Sequence, residues 1–329
     1  MAEMVHLTAD QERIRDDFSK VNCCDLNLAT YFLSRNDWQV EPAQNALIVY
    51  NSSASEVYTI NTDSSDSFDV VESLDLRESK LSSFTIISWN IDGLQHTTIS
   101  KRISAIVSEI MSKTPLIVFF QEVTEFVLVY FKDYLGSIYT ILPEEPQNST
   151  YFCITLVKTD HVFIESSEVI PFYHSTMGRC LIMVKLKYET QTLILLNSHL
   201  ESTRDGSKRR CHQLKQILSL INSFPSEYDI VFGGDFNLRD YELQNLDLSN
   251  IKDAWTTCGS DNKHQYTFDL AINDNLQIPS AAVQPRNRFD RFWFKSTHLN
   301  PCYFKIIGTQ RLNCGLFPSD HFGIELKFH

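Results

Sequence analysis

Five short stretches of this 329-residue chain place groups able to hold a phosphate, a water or a hard cation directly beside apolar runs. They are Trp89-Asn90-Ile91-Asp92, Phe120-Gln121-Glu122, Asn197-Ser198-His199-Leu200-Glu201, Gly234-Asp235-Phe236-Asn237 and Ser319-Asp320-His321. In the fourth, the apolar run Ile230 to Phe232 reads as a buried strand. Two glycines then read as a sharp turn that leaves room for a ligand at the main chain. Asp235 and Asn237 follow two residues apart, so on an extended segment both face one way. Taken singly, each tip is explained as well by an ordinary turn, where Asn, Asp and His are common. Five with matching chemistry are hard to attribute to turns.

If the tips converge, they supply what metal-assisted hydrolysis of a phosphate ester requires. Asp92 and Glu122 are hard oxygen ligands suited to Mg²⁺. Asn90 and Asn237 can hold phosphoryl oxygens or water without adding charge, and Asp235 can align and deprotonate the attacking water. His321, as an imidazolium, would stabilise charge on the five-coordinate phosphoryl group. A neighbouring carboxylate, Asp290 or Asp320, would favour that charged form.

The elements that must carry these tips follow from periodicity. Strands are expected at 84–90, 116–120, 137–142, 151–158, 162–172, 179–188, 191–198, 230–234, 289–294, 303–309 and 321–328. Helices are expected at 100–111, with Ile103, Ile106, Val107 and Ile110 on one stripe, near 124–135, and at 207–222, with Leu214, Ile217, Leu218 and Ile221 inside. Many strands with interspersed helices, some too continuously apolar for a sheet with a wet face, predict two packed sheets with outer helices, an α/β sandwich.

Ahead of this region lie two others. Residues 8–50 read as three short helices: Thr8 and Gln11 form a capping box, Asp25 caps a second helix, and a third starts near Pro42. Residues 51–82 are rich in Ser, Asp and Glu, have no period, and read as a disordered acidic linker. The expected organisation is therefore 1–50, 51–82 and 83–329. Charge follows the same division. Of a formal net charge of −12, residues 1–83 carry −9 and residues 84–329 only −3. A nearly balanced catalytic region argues against long nonspecific tracking of nucleic acid, though not against recognition of one terminus or one phosphate. The basic residues Arg204, Lys208, Arg209, Arg210 and Arg239 are the local exception, unless their helix is simply solvated. The eight cysteines form no CxxC pair, and no apolar run approaches a bilayer's thickness. Reduced thiols, a nuclear location with some cytoplasmic presence, no membrane contact and a monomer are expected.

The ordered series Trp89-Asn90, Gln121-Glu122, His199-Leu200, Gly234-Asp235-Phe236-Asn237 and Ser319-Asp320-His321 resembles the exonuclease–endonuclease–phosphatase superfamily over residues 84–329. Finer strings, Asn90-Ile-Asp-Gly-Leu94, His199-Leu-Glu-Ser-Thr-Arg204, Asn237-Leu-Arg-Asp240, Arg288-Phe-Asp-Arg291 and Cys314-Gly-Leu-Phe-Pro-Ser-Asp-His321, are similar to its branch that acts on tyrosine–DNA links. Residues 1–50, with Phe18, Ala29-Thr-Tyr-Phe-Leu33, Asn36-Asp-Trp38, Ala43 and Ala46, resemble a ubiquitin-associated domain.

The resemblance implies a four-layered α/β sandwich, two packed mixed sheets flanked by helices, plus the small three-helix N-terminal domain. It implies Mg²⁺, or Mn²⁺ in its place, and hydrolysis of the bond between a tyrosine, left by topoisomerase II, and a 5′ DNA phosphate. By motif, Asp92 and Glu122 would serve the metal, Asp235 would be the acid/base, and Asn90, Asn237 and His321 would hold the phosphate. His199, Glu201, Ser202, Arg204 and Arg239 would line the path of a single-stranded 5′ end, with Tyr151, Phe268, Leu276 and Phe289 as its apolar wall. Phe268 stands where the family usually has tryptophan, which implies a smaller stacking face. Two alternatives remain: another phosphodiesterase of the superfamily (an abasic endonuclease, a deadenylase or a lipid phosphodiesterase), or a ubiquitin-binding adaptor with an inert hydrolase fold. The chain shows neither the broadly basic face of an endonuclease nor a membrane-binding insertion, and every expected catalytic position holds a competent residue.

Overall fold

The computed structural model of the chain describes residues 8–22, 33, 38–40, 83–145, 150–160, 162–276, 278 and 283–329. The chain divides into two compact units, Met1–Arg77 and Glu78–His329. In the first, helix α1 spans Ala9–Asn22 and opens on the expected capping box. The Thr8 N–H donates to Gln11 Oε1 (2.9 Å), and the Gln11 N–H donates to Thr8 Oγ1 (3.3 Å). The other two helices of the ubiquitin-associated-like region, apart from residues 33 and 38–40, and the whole acidic linker lie outside the described residues.

The second unit is built on two six-stranded sheets. The first contains β1 (Phe84–Asn90), β2 (Ile117–Val123), β3 (Tyr139–Leu142), β4 (Phe152–Lys158), β13 (Pro301–Ile307) and β14 (Gly323–Phe328), ordered β13-β14-β1-β2-β4-β3. The second contains β5 (Val162–Pro171), β6 (Cys180–Tyr188), β7 (Gln191–His199), β8 (Asp229–Asp235), β9 (Lys252–Asp253) and β12 (Asp290–Lys295), ordered β5-β6-β7-β8-β12-β9. Both are mixed. β1 and β2 run parallel through helix α2 (Ile99–Lys113), and β7 and β8 run parallel through helix α4 (Ser207–Ser223). Helix α3 (Glu125–Leu135) follows β2, the short α5 (Ala254–Thr257) follows β9, and β10 (Phe268–Asp269) pairs with β11 (Arg286–Asn287).

The sheets face each other across the main core. Ile86, Ile117 and Phe119 of the first meet Val184, Leu195, Val231 and Phe292 of the second, with the Phe119 and Phe292 rings 6.1 Å apart. On the outer side of the second sheet, Leu214, Ile217, Leu218 and Ile221 of α4 pack against Ile194, Leu196, Ile230 and Phe232. On the outer side of the first, Phe120 stacks on Phe131 of α3 at 4.6 Å. Strands covered on both faces must be apolar throughout, which is why β1, β2 and β8 read as continuous runs. The arrangement is the four-layered sandwich expected. Among the described residues no helix is long and apolar enough to cross a membrane.

Two local expectations are corrected. Gly233 and Gly234 do not make a turn; they are the last residues of β8 before Asp235. A Cβ on Gly233 would lie 2.5 Å from the Phe292 ring, and one on Gly234 would lie 2.0 Å from the Ser198 carbonyl oxygen. The glycines therefore allow close contact between layers and between β7 and β8. Gly234 also has φ +135°. Gly234→Ala is expected to cost about 3 kcal/mol of stability by denaturant unfolding; a loss below about 1 kcal/mol would show that β7 and β8 separate readily. The second correction concerns Asn237, which lies beyond the strand with φ 48°, so its nearness to Asp235 comes from a left-handed turn and not from strand alternation.

Candidate active site

Ligands of open α/β sheets gather outside the carboxyl ends of parallel strands, and here four such ends meet. Pairing sets Asn90 beside Gln121 in the first sheet, and His199 beside Asp235 in the second. Antiparallel β12 adds Asp290 directly opposite Asp235. The loop before β14 contributes His321. Asp92, Asn237 and Glu122 all adopt left-handed backbone, with φ of 49°, 48° and 56°. For Glu122 this marks an irregularity in the β2–β4 pairing between Phe120 and Val123, which re-aims the side chain. Three non-glycine residues in this region around one cleft indicate backbone strain held by the surrounding fold.

Asp235 is the centre. The Asn237 N–H donates to its Oδ1 (2.9 Å) and the Asn90 amide donates to its Oδ2 (3.1 Å). The same Oδ2 lies 3.3 Å from His199 Nε2 and 3.8 Å from His321 Nε2. Asn90 also donates to Glu122 Oε1 (3.1 Å), joining the two sheets' contributions. His321 Nδ1 is 2.8 Å from Asp290 Oδ2. Of the two carboxylates that sequence left open as its partner, Asp290 makes the hydrogen bond; Asp320 bonds Ser319 Oγ (3.4 Å).

The electrostatics divide the cluster into distinct roles. Burial alone would raise Asp235, but the His199 and His321 rings, with the Asn90 and Asn237 donors, hold its carboxyl below the usual range. Burial would lower His321, yet Asp290 and Asp235 outweigh it and raise the imidazole well above its ordinary value. His199 behaves oppositely: burial and the Arg179 guanidinium push it down to about 3. Arg179 Nη1 lies 2.9 Å from His199 Nδ1, so the neutral ring accepts there and carries its proton on Nε2, toward Asp235. At neutral pH the site thus presents an ionised Asp235, a charged His321 and a neutral His199.

Two groups of acids bear on metal binding. Asp235, Asp290 and His321 place ligand atoms within 4.8 Å of one another. Protonated His321 has no free lone pair, so this trio holds a proton rather than a cation. Asp92 and Glu122 fit better. Burial, then the Asp320 carboxylate, raises both to about 7, the response of crowded acids whose nearby cations offset burial only in part. The nearest cation to Asp92 is the Arg102 guanidinium, at 3.8 Å. An all-oxygen set of this kind suits a hard divalent ion.

Other expected residues fall inside the cluster, beside it or away from it. Ser202 sits inside the cluster: its Oγ accepts from Arg179 (2.9 Å) and from the Asn237 amide (3.2 Å). Phe268 and Phe289 form a wall beside His321, their rings 5.0 and 6.4 Å from the imidazole, and Arg239 lies over Phe289 at 5.2 Å. Tyr151 flanks the opposite side, 6.3 Å from the His199 ring. Arg204 and Leu276 are exposed, and neither touches this cluster through a hydrogen bond or ion pair. Glu201 needs correction as a substrate contact: it is fully buried, and its oxygens accept from Ser175, from the Thr176 hydroxyl and N–H, and from Gln213. Arg210 also leaves the basic surface, since it is buried in a two-bond pair with Glu242 (2.6 and 3.1 Å).

Sequence reasoning missed two arginines. Arg179 sets the tautomer of His199 from β6's edge. Arg102 is fully buried and donates to the carbonyls of Ile91, Asp92, Gln95 and Pro318, clamping the loops that carry Asp92 and His321. An arginine bordering an apolar helical stripe reads as solvent-facing, so spacing offered no signal for it.

Two mixed sheets with a charged site at their strand ends define an α/β-sandwich fold that recurs among solved structures. The fold matches that of an endonuclease/exonuclease/phosphatase from Bacteroides vulgatus with a TM-score of 0.61 at 17% identity, over 75% of this chain and 99% of that one. No protein-family model matches the chain. The Homo sapiens tyrosyl-DNA phosphodiesterase 2 is 34% identical over 330 residues, covering 94% of this chain and 90% of that protein. The Danio rerio enzyme, solved with single-strand DNA product, superposes with a TM-score of 0.71 at 32% identity, over 75% of this chain and 99% of that chain. A truncated Caenorhabditis elegans enzyme gives 0.68 at 34% identity, over 75% and 97%. The chain belongs to the tyrosyl-DNA phosphodiesterase 2 family and is a phosphodiesterase.

Proposed function

We propose that the chain hydrolyses the bond between a tyrosine and a 5′ DNA phosphate, releasing a 5′-phosphate end from a topoisomerase II remnant. The observation that carries this reading is the pairing of an ionised, fully hydrogen-bonded Asp235 with a charged His321 3.8 Å away. Asp235 orients the attacking water and takes its proton as the new P–O bond forms. His321, held in its charged form by Asp290, and the Asn90 and Asn237 amides meet the charge that develops on the phosphoryl oxygens. The P–O bond to tyrosine breaks, and the electron pair leaves on the phenol oxygen. A phenol's pKa near 10 makes that departure far easier than loss of a sugar alkoxide, so no strong general acid is needed. Asp92 and Glu122 would hold Mg²⁺ (or Mn²⁺), which supplies charge neutralisation at the phosphate. Tyr151, Phe268, Leu276 and Phe289 would line the path of a single-stranded end, and Arg204 and Arg239 would contact its backbone.

The test uses a single-stranded oligonucleotide with a 5′-phosphotyrosine, with metal and with chelator, beside an abasic and a plain phosphodiester strand. Metal-dependent release of tyrosine much faster than any cutting of the other strands is expected. Equal cutting of the plain strand would favour an endonuclease of the same superfamily.

Because Asp92 and Glu122 titrate near 7 and must be ionised to ligate, Mg²⁺ affinity should rise with pH through neutrality. Calorimetric titration should show at least about tenfold tighter binding at pH about 8 than at about 6, with proton release. A pH-independent affinity would place the metal elsewhere.

Residues 1–50 are proposed to bind ubiquitin and so bring a monomeric, mainly nuclear enzyme to ubiquitylated adducts. Deleting them should abolish ubiquitin pull-down and spare cleavage; loss of cleavage would refute this division.

A further inference from the structure

We propose that the outer face of helix α4 is a second contact surface for the substrate strand, gripping the phosphates that lead away from the 5′ end. The inference rests on the reading of the site as a 5′-tyrosyl phosphodiesterase and extends it to the length of strand engaged.

The catalytic region has a net charge of only −3, yet Arg204, Lys208, Arg209 and Lys215 lie within twelve residues of one another, all exposed. None of the four side chains makes an ion pair or a hydrogen bond in the structure. Six other arginines of the unit behave differently: Arg102, Arg210, Arg286, Arg288, Arg291 and Arg311 are each paired with a carboxylate. An ordinary solvated helix interleaves both signs, often as Glu–Lys pairs one turn apart. Helix α4, Ser207–Ser223, contains no Asp or Glu at all. Lys208, His212 and Lys215 stand at i, i+4 and i+7, so they form one stripe about 10 Å long, with Arg209 beside it.

An aromatic group accompanies the charge. The segment after β5 is tied down by Glu201, which accepts from Ser175 and Thr176. This holds Tyr173, 87% exposed, and His174 alongside the helix, where the His174 ring meets His212 edge-on at 5.6 Å. Unpaired cations with an exposed aromatic ring are the combination that binds single strands, the cations taking phosphates and the ring a base.

The surface is also joined to the active site. On the helix's inner side Arg210 donates to the carbonyls of Glu201 (2.5 Å) and Thr203 (3.1 Å), and Gln213 Oε1 accepts the Glu201 N–H. That loop carries Ser202, which accepts from Asn237. A strand leaving the site past Arg204 therefore meets the start of α4 next.

The experiment compares the full chain with its K208Q/R209Q/K215Q variant on 5′-phosphotyrosyl strands of about four and about sixteen nucleotides, over a range of salt. For the long strand the variant should raise KM about tenfold near 0.1 M salt with kcat retained, and should flatten the log–log salt dependence by about two, three phosphate contacts at ~0.7 each. The short strand, which ends before the helix, should be cleaved as by the native chain. Fluorescence anisotropy with a plain 5′-phosphate strand reads the same salt slope without turnover. An unchanged slope, or equal losses on both lengths, would overturn the surface. Failure of the native chain to cleave either strand would instead refute the tyrosyl reading, leaving anisotropy to decide the surface.

Discussion

Asp235→Asn is expected to lower kcat on a 5′-phosphotyrosyl strand by about 10³- to 10⁴-fold while leaving the protein folded. The size follows from two losses at once. An asparagine cannot accept the proton of the attacking water, and it no longer offers the fixed negative charge that orients it; together these amount to about 4–5.5 kcal/mol of barrier. The fold should survive because the side chain is isosteric and the Asn237 N–H, 2.9 Å from Oδ1, can still donate to the amide oxygen. Some stability is nonetheless lost. The new NH₂ group would replace Oδ2 and face the Asn90 amide at 3.1 Å and His199 Nε2 at 3.3 Å, opposing donors to donors at a cost of about 1–3 kcal/mol. Single-turnover release of 5′-phosphate, with circular dichroism for the fold, checks both parts. A folded variant within about tenfold of native activity would assign water activation to another group.

The second large effect concerns the His321–Asp290 pair. His321→Gln should cost about 10²- to 10³-fold in kcat, since it removes the charge that meets the developing phosphoryl oxygens. Asp290→Asn is the more informative variant, because it leaves the imidazole in place. The folded pKa of His321 is raised well above 6.5, with Asp290 the first cause acting against burial. Imidazolium is therefore present at low and neutral pH and lost only as pH rises through that raised value. Removing Asp290 lowers the folded value, so the alkaline limb of the pH–rate profile should move to lower pH. Asp290→Asn should then lose far more activity at pH about 8 than at about 6, when each pH is compared with the native enzyme. Comparison at matched pH matters because Asp92 and Glu122, raised to about 7, impose a shared acid limb. The stability linkage has the same sign: the pair's contribution is complete below the unfolded histidine pKa and disappears as pH rises through the folded one. A profile that keeps its alkaline limb would show that Asp290 merely packs against the ring.

Most of the sandwich was legible because strand and helix periods are local. The stripe Ile103, Ile106, Val107, Ile110 and the continuous runs of β1, β2 and β8 announce which faces are covered, whatever covers them. The chemistry of the strand tips was legible too, since Asn90, Glu122, Asp235 and His321 each stand out against an apolar neighbour. Distances among them were not, because partners stand far apart in the chain, 31 residues between His321 and Asp290 and 145 between Asn90 and Asp235. The same limit explains the errors. Gly233-Gly234 looks like a turn until Phe292 and the Ser198 carbonyl are seen against it. Glu201 and Arg210 look like surface charges until burial pairs them with Thr176 and Glu242.

What the sequence by itself determined is the inventory: two sheets' worth of strands, three flanking helices, and the set of acids, amides and histidines at the strand ends. Only the tertiary structure decided how each member is charged. Asp290 rather than Asp320 bonds His321, and burial together with Arg179 makes His199 neutral. Periodicity depends on the neighbours a residue has in the chain, whereas a pKa depends on the neighbours it has in space.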